Sequence, residues 1–293
     1  MRDATISELW RYPVKSMGGG AVETVALTAQ GVVGDRGYAV VDRSDGQVAS
    51  AKHPRKWAAL LHAEARYVDE PVAGADLPPV TVTFPDGSSV RSDAPGADAT
   101  LSRYTARDVA LTSRVPEKPT FEEVWPEIAG LAPAEFIDDT ASGRTDRGET
   151  ISSIGLASVA PGTFLDVAPL HVLTDATLAE LSRLSPGAGY DRRRYRPNLV
   201  LRVPGTGFVE NTWAGGALRA GGVELPVILA TMRCVMTTLA QPGLAEDRET
   251  LRGIARHNRV EIPGLGTWAC AGIYAGVSGP GRLAVGDPVG LPT

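Results

Sequence analysis

A cysteine beside an arginine is the first feature of this sequence that suggests chemistry. Cys234 follows Arg233 at the end of an apolar run, and the hydroxyl residues Thr237 and Thr238 come soon after. A nearby cation favours the thiolate, which is both a nucleophile and a ligand for soft metals. A lone cysteine in an apolar run is, however, more often a small buried side chain. The residues alone leave all three readings open.

A turn rich in arginine is the second feature. Residues 192–194 are all arginine, and Arg196 and Asn198 follow at the start of an apolar strand. The planar guanidinium group matches the geometry of phosphate and carboxylate. An anionic ligand is therefore an alternative to the commoner interpretation, a solvated basic turn.

The N-terminal part contains further residues suited to an anion. Lys15 and Ser16 precede the glycine run 18–20, whose backbone can approach a phosphate closely. Asp35 and Arg36 follow, as an ion pair or as a second anion contact. A flexible loop is the alternative for the glycine run, because the residue order of a P-loop is absent.

The remaining motifs exclude several common enzyme classes. The sequence has neither the Gly-x-Ser-x-Gly elbow of many hydrolases nor the Gly-x-Gly-x2-Gly pattern of dinucleotide-binding proteins. Four scattered histidines lack metal-binding spacing, so we expect all four to be structural: His53, His62, His171 and His257.

Composition limits the function further. The 293 residues are 43% hydrophobic and 22% charged, which is typical of a soluble globular protein. The net charge of −5 argues against nucleic acid as a partner. We expect a cytoplasmic protein without a membrane span, because no apolar stretch reaches about 20 residues and the start lacks a secretory pattern. Two cysteines cannot hold an iron–sulfur cluster that needs four, so electrons would have to come from elsewhere.

The elements that must position these residues are mostly short strands. Turn signals between apolar runs predict β-hairpins at residues 38–50 and 80–91. Residues 115–150 mix proline with acidic residues, which predicts a connection with weak structure of its own. Further strands are predicted at 164–173, 198–203 and 268–277, and residues 227–236 are either one strand or a strand that runs into a turn.

Two helices are predicted in the second half. Leu178, Leu181 and Leu184 recur at helical spacing after Thr174 or Asp175 as the N-cap. A second, short helix is predicted at residues 248–257. The fold class is therefore mainly β with some α (α+β), in two barrel-like halves.

Several segments, taken in order, resemble one family. They are Arg11-Tyr12-Pro13-Val14-Lys15-Ser16, Gly34-Asp35-Arg36, Thr174-Asp175-Ala176, Arg194-Tyr195-Arg196-Pro197-Asn198, Arg233-Cys234-x2-Thr237-Thr238 and Gly272-Ile273-Tyr274. The chain resembles a MOSC-domain protein with the MOSC N-terminal β-barrel domain in front, and is similar to the mitochondrial amidoxime-reducing components and their bacterial relatives. The resemblance implies an N-terminal β-barrel domain at 1–118, a connecting segment at 119–148 and a MOSC β-barrel domain at 149–292.

The resemblance also implies a cofactor, the molybdenum cofactor (molybdopterin with molybdenum), lying between the two halves. Cys234 matches the catalytic cysteine whose thiolate ligates molybdenum. The positions that match cofactor contacts are Lys15, Ser16, Arg36, Thr174, Asp175, Arg196, Asn198, Met232, Arg233 and Tyr274.

The implied activity is oxygen-atom removal, such as reduction of an N-hydroxylated small molecule to the amine or amidine. It requires a separate electron-donor protein of the ferredoxin or flavoprotein type. Two alternatives stay open. In one, the protein carries sulfur as a persulfide on Cys234 or delivers the cofactor; in the other, it binds the pterin without turnover.

Overall fold

Short strands dominate the structure, as the turn signals between apolar runs indicated. The computed structural model describes residues 4–156 and 160–292. The first half contains β1 Ala4–Arg11, β2 Gly20–Val22, β3 Thr24–Thr28, β4 Gly31–Val32, β5 Ala39–Asp42, α1 Pro54–Trp57, β6 Glu64–Tyr67, β7 Val80–Thr83, β8 Ser89–Arg91, α2 Ala97–Thr105 and β9 Val109–Thr112.

The rest of the chain adds strands and three helices. A middle segment contains β10 Thr120–Trp125, α3 Ala134–Thr140, β11 Ala141–Arg144 and β12 Thr150–Gly155. The second half contains β13 Leu170–Thr174, α4 Asp175–Leu184, β14 Leu199–Arg202, β15 Ala217–Ala220, β16 Val223–Met232, α5 Glu249–His257, β17 Arg259–Ile262, β18 Gly266–Ala275, β19 Gly281–Ala284 and β20 Pro288–Gly290.

Seven strands close into a barrel. Neighbours follow the order β13, β14, β1, β20, β15, β16 and β18, and β18 pairs back to β13. Buried aliphatic side chains fill its interior, among them Leu9, Leu170 and Leu218. Strand β1 comes from the N-terminal end of the chain, so the barrel combines both halves of the sequence. The predicted mainly β fold with some α is confirmed.

Small sheets surround a second core in the first half. Strands β6, β7 and β8 form one sheet, and β5 pairs with β9. Met17, Leu60 and Leu101 are fully buried between these sheets and α2. The hairpin predicted at 80–91 is confirmed by the antiparallel pairing of β7 with β8. At 38–50 the chain does turn back, through a Val41–Val48 bridge, but the ladder partner of β5 is β9.

Both predicted helices form where their apolar spacing placed them. Thr174 caps α4, because its hydroxyl oxygen accepts a hydrogen bond from the Thr177 amide at 3.1 Å. Leu181 of α4 and Leu251 and Ile254 of α5 are fully buried in a shared cluster. Among the described residues, no helix has the length and apolar character needed to cross a bilayer.

The prediction of weak structure between the halves is wrong. Strands β10, β12 and β11 form an antiparallel sheet, with Thr120 opposite Gly155 and Trp125 opposite Thr150. Pro119 and Pro126 flank β10, and within this strand the alternate residues Phe121, Glu123 and Trp125 are buried. This sheet becomes one wall of the site described next.

Candidate active site

One cleft collects most of the residues that the sequence singled out. It is a cavity of about 110 Å³ where the N-terminal sheets meet the barrel. Nine of the eleven predicted site residues line it: Lys15, Ser16, Arg36, Arg196, Asn198, Met232, Arg233, Cys234 and Tyr274. Residues more than 200 positions apart in the sequence thus share one site.

Cys234 lies at the end of β16, where a 3-10 turn, Val235–Thr238, begins. Burial raises the pKa of its thiol to about 11, the nearby Glu123 carboxylate adds to the rise, and Lys52 opposes it. Burial of this thiol therefore opposes the effect of the neighbouring Arg233 cation, which would favour the thiolate. The Arg233 Nε donates to the Ala271 carbonyl at 2.8 Å and its Nη1 to the Tyr195 carbonyl at 3.2 Å. Arg233 thus fastens β16 to its neighbours.

Two arginines stack on one tyrosine ring in the cleft. The guanidinium carbons of Arg36 and Arg196 lie 4.5 and 4.3 Å from the centre of the Tyr12 ring. Arg36 pairs with the buried Asp35, but the buried Nη2 of Arg196 has no hydrogen-bond partner among the described residues. Burial, and then repulsion from Arg36, lower the pKa of Arg196 to about 10. An anion between these guanidinium groups would accept a hydrogen bond from the Arg196 Nη2 and would reduce the repulsion between the two positive charges.

Backbone strain is concentrated at this cleft. Four described residues other than glycine have positive φ, and three of them line the cleft: Ser16 at 65°, Arg36 at 46° and Arg196 at 54°. Such conformations are uncommon for residues with a Cβ and gather at functional sites, where the surrounding structure holds them. The fold therefore holds these side chains in place at some energetic cost.

A chain of alternating charges continues from the cleft. Lys15 contacts Asp166, and the Lys52 ammonium lies 3.3 Å from Asp166 and 3.0 Å from Glu123. Burial alone would raise the pKa of Asp166, but Lys15 and Lys52 outweigh it and hold this pKa below its ordinary value. Both ammonium groups also lie within 5 Å of the Phe121 ring centre.

Sequence reasoning missed Lys52, Asp166 and Glu123. Asp166 was visible as an acid inside an apolar run, but that run was interpreted as strand. In the structure the strand begins only at Leu170, and the residues before it line the cleft.

The side chains of two predicted site residues accept hydrogen bonds from backbone amides of other segments. The Ser16 hydroxyl oxygen accepts a hydrogen bond from the Ala51 amide at 3.0 Å. The Asn198 Oδ1 accepts one from the His171 amide at 3.1 Å. These bonds hold the segments that carry Lys15 and Arg196 against their neighbours.

Thr174 and Asp175 do not line the cleft. The N-cap of α4 instead contacts the buried carboxyl group of Glu210, and burial raises the pKa of this group. The Thr174 hydroxyl donates to Glu210 Oε2 at 2.7 Å, and the Gly272 amide donates to its Oε1 at 3.2 Å. Asp175 accepts a hydrogen bond from the Val203 amide at 3.1 Å. Both predicted residues thus support the barrel.

Two further residues line the cleft that were not among the predicted site residues. His171 was expected to be structural, yet it lines the cleft and contacts Arg233. Burial, and then the Arg233 charge, keep the pKa of His171 well below its ordinary value, so the ring is neutral. Arg194 donates to the carbonyls of Thr237 at 3.3 Å, Leu239 at 3.0 Å and Ala245 at 2.6 Å. It therefore fixes the loop that follows Cys234.

Comparison with known families accounts for this arrangement. Residues 3–116 match the MOSC N-terminal beta barrel domain, and residues 161–290 match the MOSC domain. The chain is a MOSC-domain protein. Its barrel and its cleft are thus built almost wholly from the two MOSC regions.

The relatives extend over nearly the whole chain. Mitochondrial amidoxime reducing component 2 of Rattus norvegicus is 25% identical over 97% of this chain and 82% of its own length. Mitochondrial amidoxime-reducing component 1 of Homo sapiens is 25% identical over 98% of this chain and 82% of its own. The crystal structure of the YUAD protein from Bacillus subtilis matches 98% of this chain and 93% of its own, with a TM-score of 0.44 and 10% identity.

A second cavity adjoins the MOSC cleft at Cys234. Seven residues line both cavities: Lys52, Asp166, Val167, Met232, Arg233, Cys234 and Tyr274. Its remaining walls are mainly aromatic, from Phe121, Trp125 and Phe136 of the middle segment and Trp268 of β18. The middle-segment residues lie outside both matched regions.

Proposed function

We propose that the protein binds the molybdenum cofactor in the cleft and uses it to reduce N-oxygenated small molecules such as amidoximes. Relatives named for amidoxime reduction, matched across nearly the whole chain, support this proposal. The observation that carries it is the unpartnered Arg196 Nη2 beside Arg36, in the cleft that also contains Cys234.

The charges of the site suit an anionic cofactor. The cationic side chains are Lys15, Arg36, Lys52, Arg194, Arg196 and Arg233, and the carboxylates are Asp35, Asp166 and Glu123. Positive charges thus exceed negative ones. A phosphate group carries nearly two negative charges and three acceptor oxygens, which suit guanidinium donors.

The residues divide into two groups by the chemistry that each can supply. Arg36 and Arg196, with Lys15, would hold the phosphate end of a pterin. Cys234 would give the metal one soft ligand, and metal coordination would have to displace the thiol proton that burial retains. When bound, the cofactor would supply the two-electron chemistry that removes oxygen from nitrogen, with electrons returned by a separate ferredoxin or flavoprotein.

Metal and pterin analysis tests the proposal directly. The protein is produced in a host that makes the cofactor, with and without molybdate, and its molybdenum, its pterin and its reduction of an aryl amidoxime are measured. We expect near-stoichiometric molybdenum and pterin, and activity only in the molybdate-grown protein. Equal activity in both preparations would contradict the proposal.

The same preparations separate the alternatives. Pterin without molybdenum or turnover would indicate a binding or delivery protein. Labile sulfane sulfur on Cys234 after incubation with a cysteine desulfurase would indicate a sulfur carrier.

A further inference from the structure

The aromatic cavity beside Cys234 has walls that support one another. The Phe136 ring centre lies 4.9 Å from that of Trp268 and 6.0 Å from that of Trp125, both nearly edge to face. The Trp125 Nε1 donates to the Ser152 hydroxyl at 2.8 Å, which fixes the indole ring. These contacts make a rigid apolar wall.

One strand supplies both the apolar floor and a carboxylate. Phe121, Glu123 and Trp125 alternate along β10, so their side chains lie on one face and line the cavity. Glu122, between them, faces the other way and accepts a hydrogen bond from Lys56 at 2.6 Å. The strand thus presents Glu123 alone to the cavity.

Glu123 retains capacity to accept hydrogen bonds. Its side chain is 4% exposed, and Lys52 donates to its Oε2 at 3.0 Å. Among the described residues no second donor reaches it, so its Oε1 has no hydrogen-bond partner and can accept one. A ligand with N–H groups would therefore find an acceptor here.

The geometry separates two functions on the two sides of Cys234. The cleft on one side is cationic and suits the anionic cofactor, whereas the cavity on the other side is aromatic and carries a carboxylate. With the cofactor in the cleft, a substrate would have to reach the metal from the side that the cofactor leaves free. Of the two cavities, the aromatic one has the more apolar lining.

We propose, on the basis of the proposed function, that this aromatic cavity holds the apolar body of the substrate. In this proposal Glu123 is a positioning residue that accepts a hydrogen bond from the substrate's nitrogen head group. Phe136 and Trp125 then determine specificity, and the class preferred is a planar aromatic compound with an N–H-bearing, N-oxygenated head.

Two substrates that share a head group test the two roles separately. Benzamidoxime and acetamidoxime differ in the apolar body alone. We expect Phe136→Ala to lower the preference for benzamidoxime, as the ratio of the two kcat/KM values, about tenfold, because the ring loses one wall. We expect Glu123→Gln to lower both kcat/KM values about tenfold, because both substrates carry the same head group.

Neighbouring residues provide matched controls. Ile137→Ala removes the next apolar side chain of α3, which does not line the cavity, and Glu122→Gln neutralises the adjacent carboxylate on the other face of β10. We expect both controls to keep the wild-type substrate ratio and activity. An unchanged ratio in Phe136→Ala, or equal losses in Glu122→Gln and Glu123→Gln, would overturn the proposal.

A binding measurement decides the case without turnover. Calorimetric titration of the purified holoprotein with benzamidine, the amidine product, should show binding that weakens about tenfold in Phe136→Ala and in Glu123→Gln but not in either control. Absence of benzamidine binding, or no weakening, would overturn the cavity assignment. Binding that weakens as expected in a protein inactive on every N-oxygenated compound would instead reject the proposed reaction and keep the cavity.

Discussion

The two cavities that meet at Cys234 differ in both chemistry and origin. The cationic cleft is lined by residues of the two MOSC-matched regions, whereas the aromatic cavity takes Phe121, Glu123 and Trp125 from the segment between them. Family membership therefore accounts for the cleft and leaves the cavity undetermined. Under the proposed function, a cofactor site shared with the family and a substrate site particular to this chain meet at Cys234.

Replacing Cys234 gives the largest expected effect, because this residue lines both cavities. Cys234→Ser should retain pterin, held by the arginines, and lose nearly all amidoxime reduction. Pterin content and steady-state rates of the purified variant measure this.

Cys270 offers a control for the loss of a thiol. It is fully buried in the cluster around α5 and lines neither cavity. Cys270→Ser should keep both pterin and turnover, apart from reduced thermal stability. Normal turnover in Cys234→Ser would refute its assignment.

Replacing Arg196 should affect the cleft alone. Arg196→Met should weaken pterin retention roughly 10- to 100-fold, since a charge-assisted contact is lost. The cofactor-free protein should melt no earlier than wild type, because the variant removes a buried guanidinium group whose Nη2 has no hydrogen-bond partner among the described residues. Pterin analysis and thermal melting of the cofactor-free protein test the two statements.

The same turn provides the control for Arg196. Arg192 is partly exposed and pairs with Glu8 at the surface. Arg192→Met should leave pterin content unchanged. If both arginine variants retained pterin equally, the cleft would not be the phosphate site.

The smallest expected effect concerns the aromatic cavity alone. Ser152→Ala removes the hydrogen bond to Trp125 and should cost about 1 kcal/mol of the free energy of unfolding. The preference for benzamidoxime should fall only a few-fold while pterin content stays constant. Denaturant unfolding and the two kcat/KM values measure this, and a loss of pterin would show that the cavities are not independent.

Local signals were sufficient for parts of the fold. Helix α4 was predictable because its cap and its leucine spacing lie within eleven residues, and the β7–β8 hairpin because its turn lies between its strands. The β10 sheet was not predictable, since Glu123 occupies a buried position where alternation predicts an apolar residue. Its burial depends on Lys52, which is 71 positions away.

Site residues could be predicted only where the residue type and its neighbours in sequence already indicated binding or catalysis. Cys234, Arg36 and Arg196 stood out by type and by neighbours. Lys52 and Asp166 did not stand out, because they become site residues only through an ion pair between segments that are distant in sequence. Thr174 was expected at the cleft for a sound reason, a helix N-terminus, but Glu210 takes the place of the ligand there.

The weaving of β1 into the barrel has a consequence for dissecting the protein. Ala4–Arg11 belongs to the first matched region, yet it lies between β14 and β20 of the second. A fragment comprising residues 161–292 would lack β1 and would expose the unpaired edges of β14 and β20, which favour aggregation. Separate expression of the two MOSC regions should therefore give insoluble fragments, whereas co-expression should allow them to complement each other.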